Sequence, residues 1–121
     1  MSQMVAVVDD DVSVRESLEN LLAEFGYAVG AFSSAEEFLV SDCVDRTGCL
    51  ILDIALPAMS GPELQRELNE RKQQIPIIYI TALEDERVHA QVISDGALEC
   101  LVKPFSETAL IEALQRAGAQ P

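Results

Sequence analysis

Three consecutive carboxylates, Asp9, Asp10 and Asp11, end an apolar run near the start of the chain (MVAVVDDDVSVR), and a fourth, Asp53, ends another (CLILD). Like charges a few ångströms apart repel, and a hard divalent cation with oxygen ligands removes that strain. Magnesium suits such a place, with Mn2+ as a substitute, because it keeps several waters and takes only one or two carboxylates, leaving positions for a phosphate oxygen. Two more polar residues close apolar runs: Thr81 ends IPIIYIT and Lys103 follows ALECLV. A hydroxyl can donate to one phosphoryl oxygen while an ammonium neutralises another as a point charge. Lys103 is one of only two lysines, the other being Lys72. Together these groups describe a site prepared for a phosphoryl group.

Such chemistry requires elements that bring these residues to one place. Residues 4–8 have no polar face, the pattern of a strand covered on both sides, and 49–53 and 75–81 read the same way. Strands over 27–32 and 97–102 complete a set of five. Between them the apolar residues recur at helical spacing. Val14, Leu18, Leu21, Leu22 and Phe25 mark a first helix stopped by Gly26. Ser34 and Glu37 offer a capping box to a short helix holding Phe38 and Leu39. Ser60 and Glu63, with Pro62 in the first turn, start a third that carries Leu64 and Leu68. The fourth is expected over 84–94, ended by Asp95 and Gly96, and the fifth over 106–117, before Gly118. Strands alternating with helices imply a parallel sheet covered on both faces: a single flavodoxin-like (βα)5 doubly wound α/β fold with strand order 2-1-3-4-5. Ligands of such sheets bind beyond the carboxyl ends of the strands, where all six residues fall.

Composition narrows the partners. The 121 residues, 49% hydrophobic, suit one domain with one core. A formal net charge of −13, from 21 acids against 8 basic residues, repels a phosphate backbone, so direct nucleic-acid binding is not expected. No apolar stretch reaches the ~18 residues of a membrane span, and the chain reads as soluble and cytoplasmic. Cys43, Cys49 and Cys100 are odd in number and lack metal-ligand spacing, so they read as small, buried, reduced side chains. Asp11 reads as a capping acid, and His89, among Glu84, Asp85, Glu86 and Arg87, as a surface residue.

The DD ending the first strand, the aspartate of LILDIALPAMSG, the threonine of YITA and the KPF of CLVKPF resemble, in order and spacing, the receiver domain of two-component response regulators. The resemblance covers the whole chain, and the SAEEFL and MSGPEL segments look most like the FixJ-type subgroup. It implies that Asp53 accepts a phosphoryl group from a phosphohistidine on a sensor histidine kinase. Asp10 would be a direct magnesium ligand, Asp9 would act through a bound water, and the Ala55 backbone carbonyl would complete the protein ligands together with Asp53. Thr81 and Lys103 would hold phosphoryl oxygens, with a cis bond between Lys103 and Pro104. Thr81, Ala82, Cys100 and Pro104 would form the switch region. Phosphorylation would favour homodimerisation through the fourth helix, fifth strand and fifth helix, along which Val88, Val92 and Leu101 lie. Residues 1–121 would be the receiver. Any output domain, a helix-turn-helix unit in FixJ-type proteins, would follow residue 121, where GAQP resembles the start of a linker.

The chain departs from this family at Cys100, where an aromatic ring is usual as a rotating switch. A thiol cannot swing as a ring does, so Thr81 is expected to move toward the phosphoryl group and the loop over 82–86 to carry the change. Two rival readings compete with this one. A phosphatase using an aspartyl phosphate needs a second acid two residues after the nucleophile, and that residue is Ala55. A pseudo-receiver, never phosphorylated, would have no use for the full set of site residues. Ala55, and Leu83 two residues beyond Thr81, cannot orient a hydrolytic water. The aspartyl phosphate is therefore expected to persist for many minutes in a phosphate-release assay; loss within seconds would contradict that reading of both positions.

Overall fold

The computed structural model describes residues 3–82 and 84–121. Five strands, β1 (Met4–Val8), β2 (Val29–Phe32), β3 (Thr47–Asp53), β4 (Ile77–Thr81) and β5 (Glu99–Val102), form one sheet in the order β2-β1-β3-β4-β5, all neighbours parallel. Alternate side chains of each strand feed opposite faces, giving two cores. Ala6, Val8, Leu50, Leu52 and Tyr79 pack with helices α2 (Ala35–Val40), α3 (Gly61–Glu70) and α4 (Glu86–Ser94). Val5, Val7, Ile51, Ile78 and Ile80 pack with α1 (Val12–Glu24) and α5 (Glu107–Arg116). The expected doubly wound fold and its strand order are thus present.

Local chemistry sets the helix ends. Asp11 caps α1 as expected, accepting from the backbone N–H of Ser13 and Val14. The reciprocal capping box of Ser60 and Glu63 opens α3, with Pro62 in its first turn. At α2 only half of the expected box forms: Ser34 accepts from the Glu37 N–H, but the Glu37 carboxylate binds the N–H and hydroxyl of Ser33 instead. The fourth helix begins at Glu86 rather than 84, because Asp85 takes the capping position.

Other boundaries shift for similar reasons. β3 starts two residues early, after a 3-10 turn over Val44–Arg46 that the alternation gave no hint of. β4 starts two residues late, after Pro76. β5 does too, because the N–H of Ala97 is spent on the Val92 carbonyl that ends α4. Phe25, expected on the apolar face of α1, is instead its C-terminal cap residue and 48% exposed. Of the cysteines, only Cys49 is fully buried; Cys43 and Cys100 are half-buried, and all three are free thiols.

One close approach positions the third strand's end. A Cβ placed on Gly61 would lie 2.5 Å from the Asp53 carbonyl oxygen and 2.9 Å from Tyr79 Cε1. Only a hydrogen fits there, so α3 starts directly on the backbone of Asp53. Gly61→Ala is expected to destabilise the domain by about 1–3 kcal/mol, as overpacking does. Urea unfolding read by circular dichroism measures it, and an unchanged midpoint would show that the contact is slack.

Candidate functional site

The register pairs Val8 with Leu52, so Asp9 and Asp53 leave adjacent strands side by side. One carboxylate oxygen from each of Asp9, Asp10 and Asp53 lies within 4.8 Å of the others. Asp9 and Asp53 are buried, whereas Asp10 is exposed. These are hard oxygen donors crowded at one point, and that donor set fits a divalent cation such as magnesium.

Lys103 reaches into the same cluster. Its Nζ donates to Asp9 Oδ2 at 2.9 Å and lies 3.5 Å from Asp53 Oδ2. The Lys103 N–H donates to the Thr81 carbonyl at 2.7 Å, continuing the β4–β5 pairing one residue beyond β5. Thr81 is fully buried at the end of β4, whose Ile80 pairs in register with Asp53. The expected cis bond between Lys103 and Pro104 is present. Ala55 is exposed, and its backbone N–H donates to Asp53 Oδ1 at 3.2 Å. Ala82 and Pro104 are exposed nearby in the chain, while Leu83 lies outside the described residues.

Burial raises the pKa of Asp53 above its ordinary 3.8, and the Asp9 charge raises it further; the Ala55 N–H and Lys103 oppose this without cancelling it. For Lys103, burial works against the charge, but the hydrogen bond to Asp9 and the charges of Asp53 and Asp9 outweigh it, and the pKa rises. The causes differ: burial leads at Asp53, whereas at Lys103 the contacts with Asp9 and Asp53 overcome burial.

Two contacts were not foreseen. Arg15 Nη1 donates to the Asp9 backbone carbonyl at 2.7 Å, and Asp9 Oδ1 accepts the N–H of Asp11 at 2.9 Å, so the loop after β1 is tied at both ends. An arginine one turn into a helix that follows three acids was the available signal. The buried bond from Tyr79 to Gln65 had none, because it spans fourteen residues of sequence. Val92, expected along the surface of α4, is core instead, at 1% exposure. At Cys100, burial and then the Glu99 charge raise the thiol's pKa, which disfavours the reactive thiolate.

Residues 5–115 match the response regulator receiver domain, and the chain belongs to that family. The family is regulatory rather than one of metabolic enzymes, which counts against the phosphatase reading. Nodulation protein W of Bradyrhizobium diazoefficiens is 43% identical over 111 residues, 92% of this chain and 49% of that protein. The transcriptional regulatory protein FixJ of Rhizobium meliloti is 42% identical over 114 residues, 94% of this chain and 56% of that protein. This chain spans about half the length of the curated relatives it matches. Among solved structures, response regulator StyR gives a TM-score of 0.89 at 44% identity, covering 97% of this chain and 59% of that one. FixJ-N gives 0.88 at 40% identity, covering 97% and 94%. No helix among the described residues is long and apolar enough to cross a membrane.

The raised Asp53 pKa has a sign for stability. Between its unfolded and folded values the native state holds a proton that the unfolded chain has released, so native stability falls as pH rises through that window. Asp53→Asn removes this penalty, while Lys103 keeps its bond to Asp9. Without divalent cation, Asp53→Asn is expected to melt at a higher temperature than wild type at neutral pH. The advantage should vanish below pH 3.8, the ordinary carboxylate value. Melting curves across pH check both parts, and a lower melting point for the variant at neutral pH would refute the reading.

Proposed function

We propose that this domain is a magnesium-dependent phosphoacceptor, with Asp53 as the accepting residue and a sensor histidine kinase as the donor. The observation that carries the reading is the convergence of Asp9, Asp10 and Asp53 on one point with Lys103 Nζ between Asp9 and Asp53. A carboxylate oxygen of Asp53 forms the bond to phosphorus as the phosphorus–nitrogen bond to the kinase histidine breaks, and the imidazole takes up a proton. Burial and the Asp9 charge, which raise the Asp53 pKa, make that carboxylate a stronger base and nucleophile. Lys103 is placed to exchange its carboxylate partner for a phosphoryl oxygen, and the Thr81 hydroxyl to donate to another. Asp10 directly, Asp9 through water, Asp53 and the Ala55 carbonyl would hold the metal. When bound, magnesium neutralises charge on the transferring group as a Lewis acid.

Occupancy then shifts the domain between two conformations, through Thr81, Ala82 and the elements around Cys100 and Pro104. The face built by α4, β5 and α5 is the surface for a phosphorylation-dependent homodimer. Ile93 and Leu98 are its exposed large apolar side chains, Val88 and Leu101 are half-buried, and Glu99 is ion-paired with Arg116. An output domain following residue 121 in the longer protein, transcriptional by analogy with the relatives, would receive the signal in the cytoplasm. The strongly acidic receiver itself would take no part in DNA contact.

Incubation with magnesium and acetyl phosphate, followed by intact mass, tests the reading. Wild type is expected to gain one phosphoryl group, Asp53→Asn and metal-chelated samples none, and Lys103→Ala to gain it roughly 100-fold more slowly. No gain by the wild type would favour the pseudo-receiver. Steady phosphate release without an accumulating adduct would favour the phosphatase.

A further inference from the structure

Tyr79 is fully enclosed in β4, and a buried phenol without a hydrogen-bond partner is costly, so the fold must supply one. Its hydroxyl donates to Gln65 Oε1 at 2.8 Å, and the same side chain donates from Nε2 to the Asp95 backbone carbonyl at 3.1 Å. Gln65 is itself buried, at 3% exposure. Three consecutive elements are thereby tied through one side chain: β4, the body of α3, and the C-terminal cap of α4. The ring is held at its edge as well, because Gly61 leaves it only the room of a hydrogen beside the Asp53 backbone. The hydroxyl bond and the close approach to Gly61 fix where the ring sits in the core.

The two ends of α4 are held unequally. Val92 is the helix's one fully buried side chain. At the C-terminal end, Gln65 binds the Asp95 carbonyl, Gln91 Nε2 donates to Asp95 Oδ1 at 3.0 Å, and the N–H groups of Gly96 and Ala97 donate to the Ile93 and Val92 carbonyls. At the N-terminal end, Asp85, Glu86 and Arg87 are exposed, Asp85 caps the helix locally, and only half-buried Val88 packs on the core. That end follows Thr81 after the four residues 82–85.

We propose that the Tyr79–Gln65–Asp95 relay is the fixed pivot of α4: occupation of the Asp53 site displaces the N-terminal end of the helix while the relay holds its C-terminal end in place. The pivot rests on the reading of Asp53 as phosphoacceptor. It also gives Cys100 a place, since Tyr79 and Cys100 are register partners on β4 and β5. The aromatic volume stands on β4, where it is pinned, and the thiol opposite has no swing to make. Tyr79 and Gln65 are positioning residues, acting through α4 without touching the phosphoryl group.

Amide chemical shifts of the 121-residue chain, with and without magnesium and beryllofluoride as a phosphoryl mimic, test the pivot in wild type, Tyr79→Phe and Gln65→Leu. In wild type, changes on adding the mimic should be large over 84–90 and severalfold smaller over 95–97. In both variants, changes over 95–97 should rise to match those over 84–90, and Ala97 amide exchange should quicken on occupancy. Tyr79→Phe keeps the ring and the core volume, so it decides the matter alone if Gln65→Leu does not fold. Equal changes along the helix in wild type, or a wild-type gradient surviving in Tyr79→Phe, overturns the pivot and leaves the phosphoacceptor reading standing. No response anywhere in wild type overturns that reading and the pivot with it.

Discussion

The contact of Lys103 with Asp9 and Asp53 is the constraint around which the carboxyl end of the sheet is arranged. Lys103 follows the edge strand β5, and Asp9 follows β1, which lies beyond β4 and β3 in the sheet. Neighbouring strands stand roughly 4.8 Å apart, so the extended lysine side chain and the aspartates approach one another across the ends of β4 and β3. The backbone bond from Lys103 to the Thr81 carbonyl continues the β4–β5 pairing one residue past β5 and places the lysine beside Thr81, from where its side chain reaches both acids. Everything that fixes Thr81 therefore also fixes the ammonium. The acids depend on it in turn, because the ammonium is the cation that both buried carboxylates reach.

The same crowding explains why the site is at once firm and unsatisfied. Asp9 is held through its backbone by Arg15 and Phe32, and through its carboxylate by Lys103 and the Asp11 N–H. Asp53 is held by the start of α3 pressing on its carbonyl, and by the Ala55 N–H on its side chain. Neither acid can move away to relieve repulsion. Asp10, exposed beside them, has no such restraint. Rigid acids with excess negative charge attract a cation without reorganising to receive it, which is the electrostatic preorganisation that phosphoryl chemistry exploits.

Much of this arrangement was legible in residue order. Strands without a polar face required two covered faces, and a polar residue ending such a strand required a place at the carboxyl edge; this located Asp9, Asp53 and Thr81. The capping residues Asp11 and Ser60 were legible because a cap is a local bond. What escaped were contacts whose partners are remote or interchangeable. Glu37 could serve Ser34 or the adjacent Ser33, and geometry chose Ser33. Phe25 kept the helical spacing of its neighbours, but the helix ended beneath it. Val92 looked like surface because helical spacing does not say which flank of α4 faces the sheet. Tyr79 read as one more apolar residue of IPIIYIT, although its hydroxyl needs a partner wherever it is buried.

Sheet alternation also determines which layer can feel the site. Tyr79 and Thr81 are two residues apart on β4, so their side chains leave the same face of the sheet, the one covered by α2, α3 and α4. Ile78 and Ile80 leave the other, toward α1 and α5. Cys100 packs with the first group and Leu101 with the second. A shift of the Thr81 side chain therefore bears on the α3 and α4 layer, while α1 and α5 feel it only through the strand backbone. Within the receptive layer, α3 is clamped by its capping box and by Gly61 on Asp53, leaving α4 as the element with freedom to respond. A rotating ring on β5 would provide one way to gate that response. With a thiol there and a hydrogen-bonded phenol on β4, that gate is absent, and under the proposed pivot the response of α4 would be set by where the helix is tied down.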